Sequence, residues 1–450
     1  MGTPIRRELL DSITRADRYD RSPAELRPLR LEAARELFKE RIEQIPVLRR
    51  RAQDSGVTEI RRLADLVPLL FSHTVYKSYP VALVEEKKWD RLLQWLKTLS
   101  VDDPTSVDMT GVENIDHWIN RLRDAGHLIL ATSGSSGKCS FLNSTRGDLE
   151  MKTRHFANML GWPYLRPNAD RAVFMLGPSS GPNSAIEAAQ IGAKLWGRPG
   201  ATHFLTEEPL QIAVVSQMAV IRKRMAEGLA TPREIADFEQ RAAAQAARMT
   251  AGLHALTDKI LAARHEPIVL SGLWSQHMAI IQRARELGIK DGDFHPQSHI
   301  SAGGGVKGVQ LPDDYKAQVD RFYGEVIRGT GYGMTEQAQV LPRCDAKRYH
   351  VPPGLIMLLL DRAGETLLEP ERGAGIVEGR FAFLDLLYEG RWGGLISGDK
   401  VHVDFAERCA CGRWGPSILD DITRYAQPGE DDHIGCAGTI DAYVRGAMNS

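Results

Sequence analysis

The chain has 450 residues and near-equal charge, 57 Lys and Arg against 58 Asp and Glu, for a formal net charge of −1. So balanced a composition offers no basic field for nucleic acid, and the longest obvious apolar run, Leu355 to Leu360, is far too short to cross a membrane and suits a buried strand. The charged N-terminus, Arg6 to Arg18, lacks the apolar stretch of a secretory signal, and Arg6 stands where a myristoylation site needs Ser or Thr. A soluble cytoplasmic protein is expected, long enough to divide a large core among two or three subdomains.

In chain order, residues 1–100 read as a mainly helical region, with Leu29 to Ala52 rich in Leu, Ala, Arg and Glu. Residues 101–340 alternate strand-like and helical runs, which predicts an α/β core. Within it, Leu128, Ile129 and Leu130 lead like a strand into Ala131 to Lys138, a loop of Thr, Ser and Gly that ends in lysine. Such a loop exposes backbone N–H groups and hydroxyls to phosphate, and Lys138 adds a point charge. It is not a P-loop, because only two residues separate Gly134 from Gly137 and Cys139 follows the lysine. Alone, it also suits a surface loop with an incidental lysine. Ala172 to Leu176 reads as a strand, Glu207 to Arg264 as two or three helices broken near Thr231-Pro232, and Gly324 to Ile327 as a strand before Gly331-Tyr332-Gly333-Met334-Thr335-Glu336. Residues 341–420 turn rich in glycine and strand signals. There Ile396-Ser397-Gly398-Asp399 sets a lone carboxylate on a predicted glycine turn, before the alternating run Lys400 to Val403. Residues 421–450 form a short C-terminal remnant.

Five cysteines stand at 139, 344, 409, 411 and 436. In a cytoplasmic protein, clustered Cys and His point to metal sooner than to disulfides. Cys409 and Cys411 share one tight turn, and the Cys344-x5-His350 pair can converge on it to make a tetrahedral Cys3His zinc site. The plainer reading makes Cys344 a small core residue and His350 a turn histidine.

The Ser/Gly loop, Tyr332-Gly333-Met334-Thr335-Glu336 and Ser397-Gly398-Asp399 follow one another, across about two-thirds of the chain, in an order that resembles the adenylate-forming superfamily. Within it the chain looks most like the acyl-protein synthetases of bacterial luminescence operons and, more distantly, phenylacetate-CoA ligases. That likeness is carried by His299 to Lys307, by Cys409-Ala410-Cys411-Gly412-Arg413-Trp414-Gly415-Pro416 and by Ile434-Gly435-Cys436. The resemblance implies a large domain of layered α/β subdomains with a small β-rich subdomain, and ATP with Mg2+ as cofactors. It further implies that Thr132, Ser133, Gly134, Ser135, Ser136, Gly137 and Lys138 cradle the β- and γ-phosphates. Tyr332, with Gly333 beside it, would stack on adenine, Thr335 would contact the α-phosphate, Glu336 would bind magnesium and Asp399 would accept both ribose hydroxyls. Gly303, Gly304 and Gly305 would let the backbone approach the nucleotide or acyl group, while Lys307 has no assigned role. Taken singly, Tyr332 suits ordinary core, Glu336 a helix first turn and Asp399 a turn.

The implied reaction is attack of a carboxylate on the α-phosphate of ATP, giving acyl-AMP and pyrophosphate, so the site must neutralise phosphate charge and align the attack. Usual members carry a mobile C-terminal domain of roughly a hundred residues; here about thirty residues follow Pro416, so a truncated C-terminal domain is expected. Thr423-Arg424-Tyr425 resembles a degenerate form of the family's hinge, which makes Arg424 a candidate ribose or phosphate contact. The luminescence synthetases place an acyl-accepting cysteine near the C-terminus, and Cys436 matches it, with Ile434 where they have arginine; an inert buried cysteine is the alternative. Transfer would then run to a thiol, its own or that of an acyl-accepting or reductase partner protein, or to an amine. Three other readings stand beside this: a CoA ligase for an aromatic or small acid, an enzyme that activates a non-carboxylate oxyanion, and a non-catalytic nucleotide-binding scaffold. The acid itself is not legible, although Phe174, Trp274, His277 and the turn from Gly177 to Gly181 could line its pocket or simply make core.

Overall fold

Long-range strand pairing, rather than sequence order, divides this chain. The computed structural model describes residues 4–132, 138–304, 310–370, 373–426 and 434. They fall into two compact units, one made of residues 1–155 with 331–450 and the other of residues 156–330. These units do not follow the divisions read from the sequence, because Phe71 and Ser72 pair in parallel with Leu395 and Ile396, far along the chain.

The first unit is built on a seven-stranded sheet. Its main path runs Arg348–His350, Ser417–Leu419, Gly394–Asp404, Ile376–Asp385, Leu355–Leu360, and both Phe71–Ser72 and Thr423–Arg424 pair with Gly394–Asp404. Leu355–Leu360 is apolar on both faces because nearly all of it is buried. The N-terminal helices cover this unit's core. Ser22 and Glu25 close a reciprocal capping box on helix Pro23–Gln44, with Pro23 at its first position. That helix buries Leu26, Ala33, Ala34, Leu37 and Phe38, a stripe at helical spacing, and Phe38 meets Trp392 edge-on at 6.3 Å. The predicted turn at Ser397-Gly398-Asp399 lies instead inside strand Gly394–Asp404, because Arg424 pairs opposite Asp399 and extends the ladder there.

The second unit is an α/β layer. Five parallel strands run in the order Gly197–Thr206, Arg171–Pro178, Ile268–Leu273, His299–Gly303, Ile327–Arg328. Parallel neighbours need crossover connections, which helices such as Ser184–Trp196, Pro232–Ala262 and Trp274–Glu286 supply. Their apolar faces join the strands in one core that includes Phe174, Leu256, Ile260, Leu270, Ile280 and Phe322. The helical stretch after Glu207 breaks as expected, into Ile212–Ala226 and Pro232–Ala262, with Thr231 and Glu234 forming the capping box of the second helix. The strand expected at 324–327 starts only at Ile327, because Gly324, at φ +68°, ends helix Tyr315–Tyr323 and presses against Gly292.

Candidate functional site

Asp399 is the centre around which the predicted motifs of the first unit gather. Its backbone N–H donates to Ser397 Oγ at 3.1 Å, and the Tyr425 N–H donates to the Gly398 carbonyl at 3.1 Å, which fixes the Ser-Gly-Asp backbone between two strands. Tyr332 donates its hydroxyl to Asp399 Oδ2 at 2.8 Å, while Arg424 Nε lies 3.3 Å from Asp399 Oδ1. One carboxylate oxygen therefore has a hydrogen-bond donor and the other an ion-pair partner, both of which a diol could replace. Tyr332 sits on a short strand, Gly331–Tyr332, paired with Leu341–Pro342. Its two flanking glycines are required by close packing, since a Cβ on Gly331 or Gly333 would come within 2.6 or 2.9 Å of Val340. The Tyr332 ring is 9% exposed and packs edge-on against Phe381 at 5.1 Å. Burial, reinforced by the Asp399 charge, pushes its hydroxyl well above the ordinary phenol range.

Glu336 follows on a turn rather than on a helix, so no helix dipole acts on it. Burial raises its carboxyl pKa, and the Arg391 charge opposes that rise. The residues after it are held by Asp385, which is fully buried. Asp385 Oδ2 accepts the N–H groups of Ala338 at 2.9 Å and Gln339 at 3.0 Å, and Oδ1 accepts Gln339 Nε2 at 2.7 Å and the Leu387 N–H at 3.1 Å. Asp148 accepts the N–H groups of Glu389 at 2.6 Å and Thr145 at 2.8 Å, joining the start of helix Arg146–Met159 to the turn that carries Arg391. Sequence reasoning missed Asp385, Asp148 and Arg391. The available signal was a single carboxylate in the apolar run Phe381 to Leu387, which burial obliges to find donors.

The Ser/Gly loop is framed by two antiparallel strands, Leu128–Ala131 and Phe141–Ser144. Thr132 closes its base, accepting the Ser140 N–H on Oγ1 at 3.0 Å. Lys138 Nζ lies 4.6 Å from the Tyr79 ring centroid, a cation–π contact, and the Tyr79 hydroxyl donates to the Cys139 carbonyl at 2.8 Å. Ser133, Gly134, Ser135, Ser136 and Gly137 lie outside the described residues, as do Gly305, Lys307 and Cys436.

In the second unit, Gly303 ends strand His299–Gly303, and Gly304 adopts φ +79° where a Cβ would meet Leu273 at 2.6 Å. Phe174 and His277 are not pocket-lining. Phe174 is 1% exposed, and His277, with no exposure, bonds to the Tyr323 hydroxyl at 2.8 Å and to the Ser301 carbonyl at 3.2 Å. Trp274 is half-buried and meets Tyr315 edge-on at 5.4 Å.

The cysteine motif does converge. The Sγ atoms of Cys344, Cys409 and Cys411 and a ring nitrogen of His350 all lie within 4.8 Å of one another. Cys344 Sγ is 3.8 Å from Cys409 Sγ, and Cys411 Sγ is 3.4 Å from His350 Nε2. Bond lengths of about 2.3 Å to sulfur and 2.0 Å to nitrogen give tetrahedral edges of roughly 3.8 Å and 3.5 Å, so the donor set fits zinc. Two turns present the ligands. The Cys409 N–H donates to the Arg413 carbonyl at 2.8 Å, and the Cys344 N–H to the Arg348 carbonyl at 2.9 Å.

No protein-family model and no curated protein matches the chain. Solved structures do. One is 2-hydroxyisobutyryl-CoA ligase in the postadenylation state in complex with R3-HIB-AMP, at 14% identity and a TM-score of 0.52, covering 90% of this chain and 69% of that one. Another is an open conformation of the same ligase in complex with 2-HIB-AMP and CoA, at 13% identity and a TM-score of 0.50, covering 90% of this chain and 76% of that one. The chain resembles this ligase in fold over 90% of its length. At this identity the likeness concerns architecture, and the chemistry has to be argued from the residues. Among the described residues, no helix is long and apolar enough to cross a membrane.

Proposed function

We propose that this chain activates a carboxylic acid with ATP, forming acyl-AMP and releasing pyrophosphate, and then passes the acyl group to a thiol or amine. The observation that carries this reading is the engagement of both Asp399 oxygens, by Tyr332 and Arg424, on a fold that resembles adenylate-forming ligases. Ribose hydroxyls would replace those two donors at Asp399, with Tyr332 beside the adenine and Arg424 free to turn toward ribose or phosphate. Carboxylate oxygen attacks the α-phosphorus, a P–O bond forms, and the bond to pyrophosphate breaks. Lys138 and the Ser/Gly loop offset the polyphosphate charge, and Thr335 contacts the α-phosphate. Glu336 would hold Mg2+, which supplies charge neutralisation to the leaving pyrophosphate when bound. The Cys344, His350, Cys409 and Cys411 set would hold zinc as a structural ion, since four protein ligands leave no open position. Cys436 or a partner protein's thiol would receive the acyl group.

A second acceptor, coenzyme A, is favoured by the similarity to a ligase solved with CoA. ATP–pyrophosphate exchange tests the common first step, using wild type and Asp399→Ala across fatty, aromatic and hydroxy acids. Acid-dependent exchange is expected, falling about 100-fold in the variant with the loss of two hydrogen bonds to a charged acceptor. No exchange with any acid would overturn the reading and favour a nucleotide-binding scaffold.

A further inference from the structure

Arg391 lies in the turn between strands Ile376–Asp385 and Gly394–Asp404, and its side chain has no solvent exposure. Its Nη1 donates to the Asn143 carbonyl at 2.9 Å, on the strand that leaves the Ser/Gly loop. Its Nη2 donates to the Glu336 carbonyl at 3.2 Å. The guanidinium carbon stacks 3.6 Å from the Tyr388 ring centroid and lies 5.6 Å from that of Tyr76, while Nε has no hydrogen-bond partner. Beyond the Tyr388 and Tyr76 rings, Asp148 and Glu336 act on it through space, neither side chain hydrogen-bonded to it.

A buried cation with no paired anion is costly, and two carbonyls with two ring faces recover only part of its lost hydration. For packing alone, apolar side chains of similar volume would serve as well or better. What an arginine adds is a planar fork that joins two segments at fixed spacing, together with a charge that acts strongly because water is excluded. The two segments it joins are the ones that carry Lys138 and Glu336.

We propose that Arg391 is a positioning residue for adenylation, fixing the strand that leaves the phosphate loop against the Glu336 turn and supplying buried positive charge to the magnesium–polyphosphate end of the substrate. This assignment rests on the adenylation reading. It goes further in naming a residue that never touches the nucleotide, and in separating the polyphosphate end, which needs Arg391, from the adenosine end at Asp399, which does not.

The test compares Arg391→Gln, which removes charge and fork, with Arg391→Lys, which keeps charge only. Pyrophosphate exchange is measured against MgATP, and AMP binding by calorimetry without added Mg2+. In Arg391→Gln, the half-saturating MgATP concentration should rise about 10-fold and kcat fall at least as much, with AMP affinity unchanged within about threefold. Arg391→Lys should recover part of kcat. Unchanged MgATP dependence, or equal weakening of AMP and MgATP, would reduce Arg391 to a structural residue. If Arg391→Gln lacks a cooperative melt, the same comparison on Arg391→Lys decides, with a rise of about fivefold for MgATP alone as the supporting result. Wild type without exchange for any acid sinks the adenylation reading itself, whereas active wild type with insensitive variants sinks only the role of Arg391.

Discussion

His155, His277 and His299 are each no more than 4% exposed, and burial holds every one of their imidazoles down at a pKa of about 4. His299 is the least satisfied, stacked on Trp196 at 5.7 Å with no hydrogen-bond partner on either ring nitrogen. It also dictates a neighbour, because a Cβ on Gly329 would fall 1.7 Å from its Nε2. These groups are neutral when folded and basic when unfolded, so the unfolded chain takes up protons first as pH falls. Their stabilising effect is complete above the ordinary value of about 6.5 and is lost progressively down to about 4. At pH 5 each histidine should cost about 2 kcal/mol relative to pH 7. Urea unfolding at the two pH values measures this, and His277→Gln should shrink the difference; equal stability at both would refute the expectation. The sequence singled out His277 as a possible pocket residue, but an imidazole in an apolar segment looks the same whether it faces a ligand or a tyrosine hydroxyl. Asp385 and Arg391 went unassigned for a related reason, since most of their hydrogen-bond partners lie remote in the chain.

Under the zinc assignment proposed above, the turns that present Cys344 and Cys409 are the elements whose stability depends most on something outside the polypeptide. Gly412, at φ +86°, closes the second turn, and its N–H donates to the Cys409 carbonyl at 2.8 Å. Burial pushes the Cys409 thiol up to about 12, whereas at Cys411 hydrogen bonds from Arg413 outweigh burial and lower it. Metal analysis should find close to one zinc per purified chain, and chelation should lower the melting temperature by several degrees, in keeping with metal binding as folding energy. Hydrogen exchange should then quicken first in Arg348–His350 and Ser417–Leu419, the paired strands beside the ligands. Zinc well below one per chain, with melting insensitive to chelators, would refute this. These ligands were legible in the sequence because their spacing is local on each turn. So were the strand at Leu355–Leu360 and the helix break at Thr231, where apolar run length and capping chemistry decide. The glycine at 398 misled because a glycine reads as a turn until the strand beside it is known, and Thr423–Arg424 supplies that strand from further along the chain.

At the scale of the molecule, residues 156–330 form a contiguous unit with its own core, while the other unit is assembled from two separated stretches. Residues 156–330 expressed alone should therefore melt cooperatively, and residues 1–155 alone should not, a contrast that circular dichroism or calorimetry can check. A cooperative melt of residues 1–155 alone would show that they do not need the later stretch, and none for residues 156–330 would show that this unit does not fold by itself. The domain limits were the part of the fold least legible in the sequence, since nothing local to Phe71 announces a partner at Leu395. That partnership has a consequence for biosynthesis. Trp392 donates its indole N–H to the Leu69 carbonyl across 323 residues, and Arg6 donates to the Leu386 carbonyl across 380. At about 5 to 20 residues per second, a ribosome takes roughly 16 to 76 s to cover these intervals. For that time helix Pro23–Gln44 carries Phe38 without the Trp392 ring it meets edge-on, so the beginning of this chain is the last part to be finished and the part most in need of a chaperone while it waits.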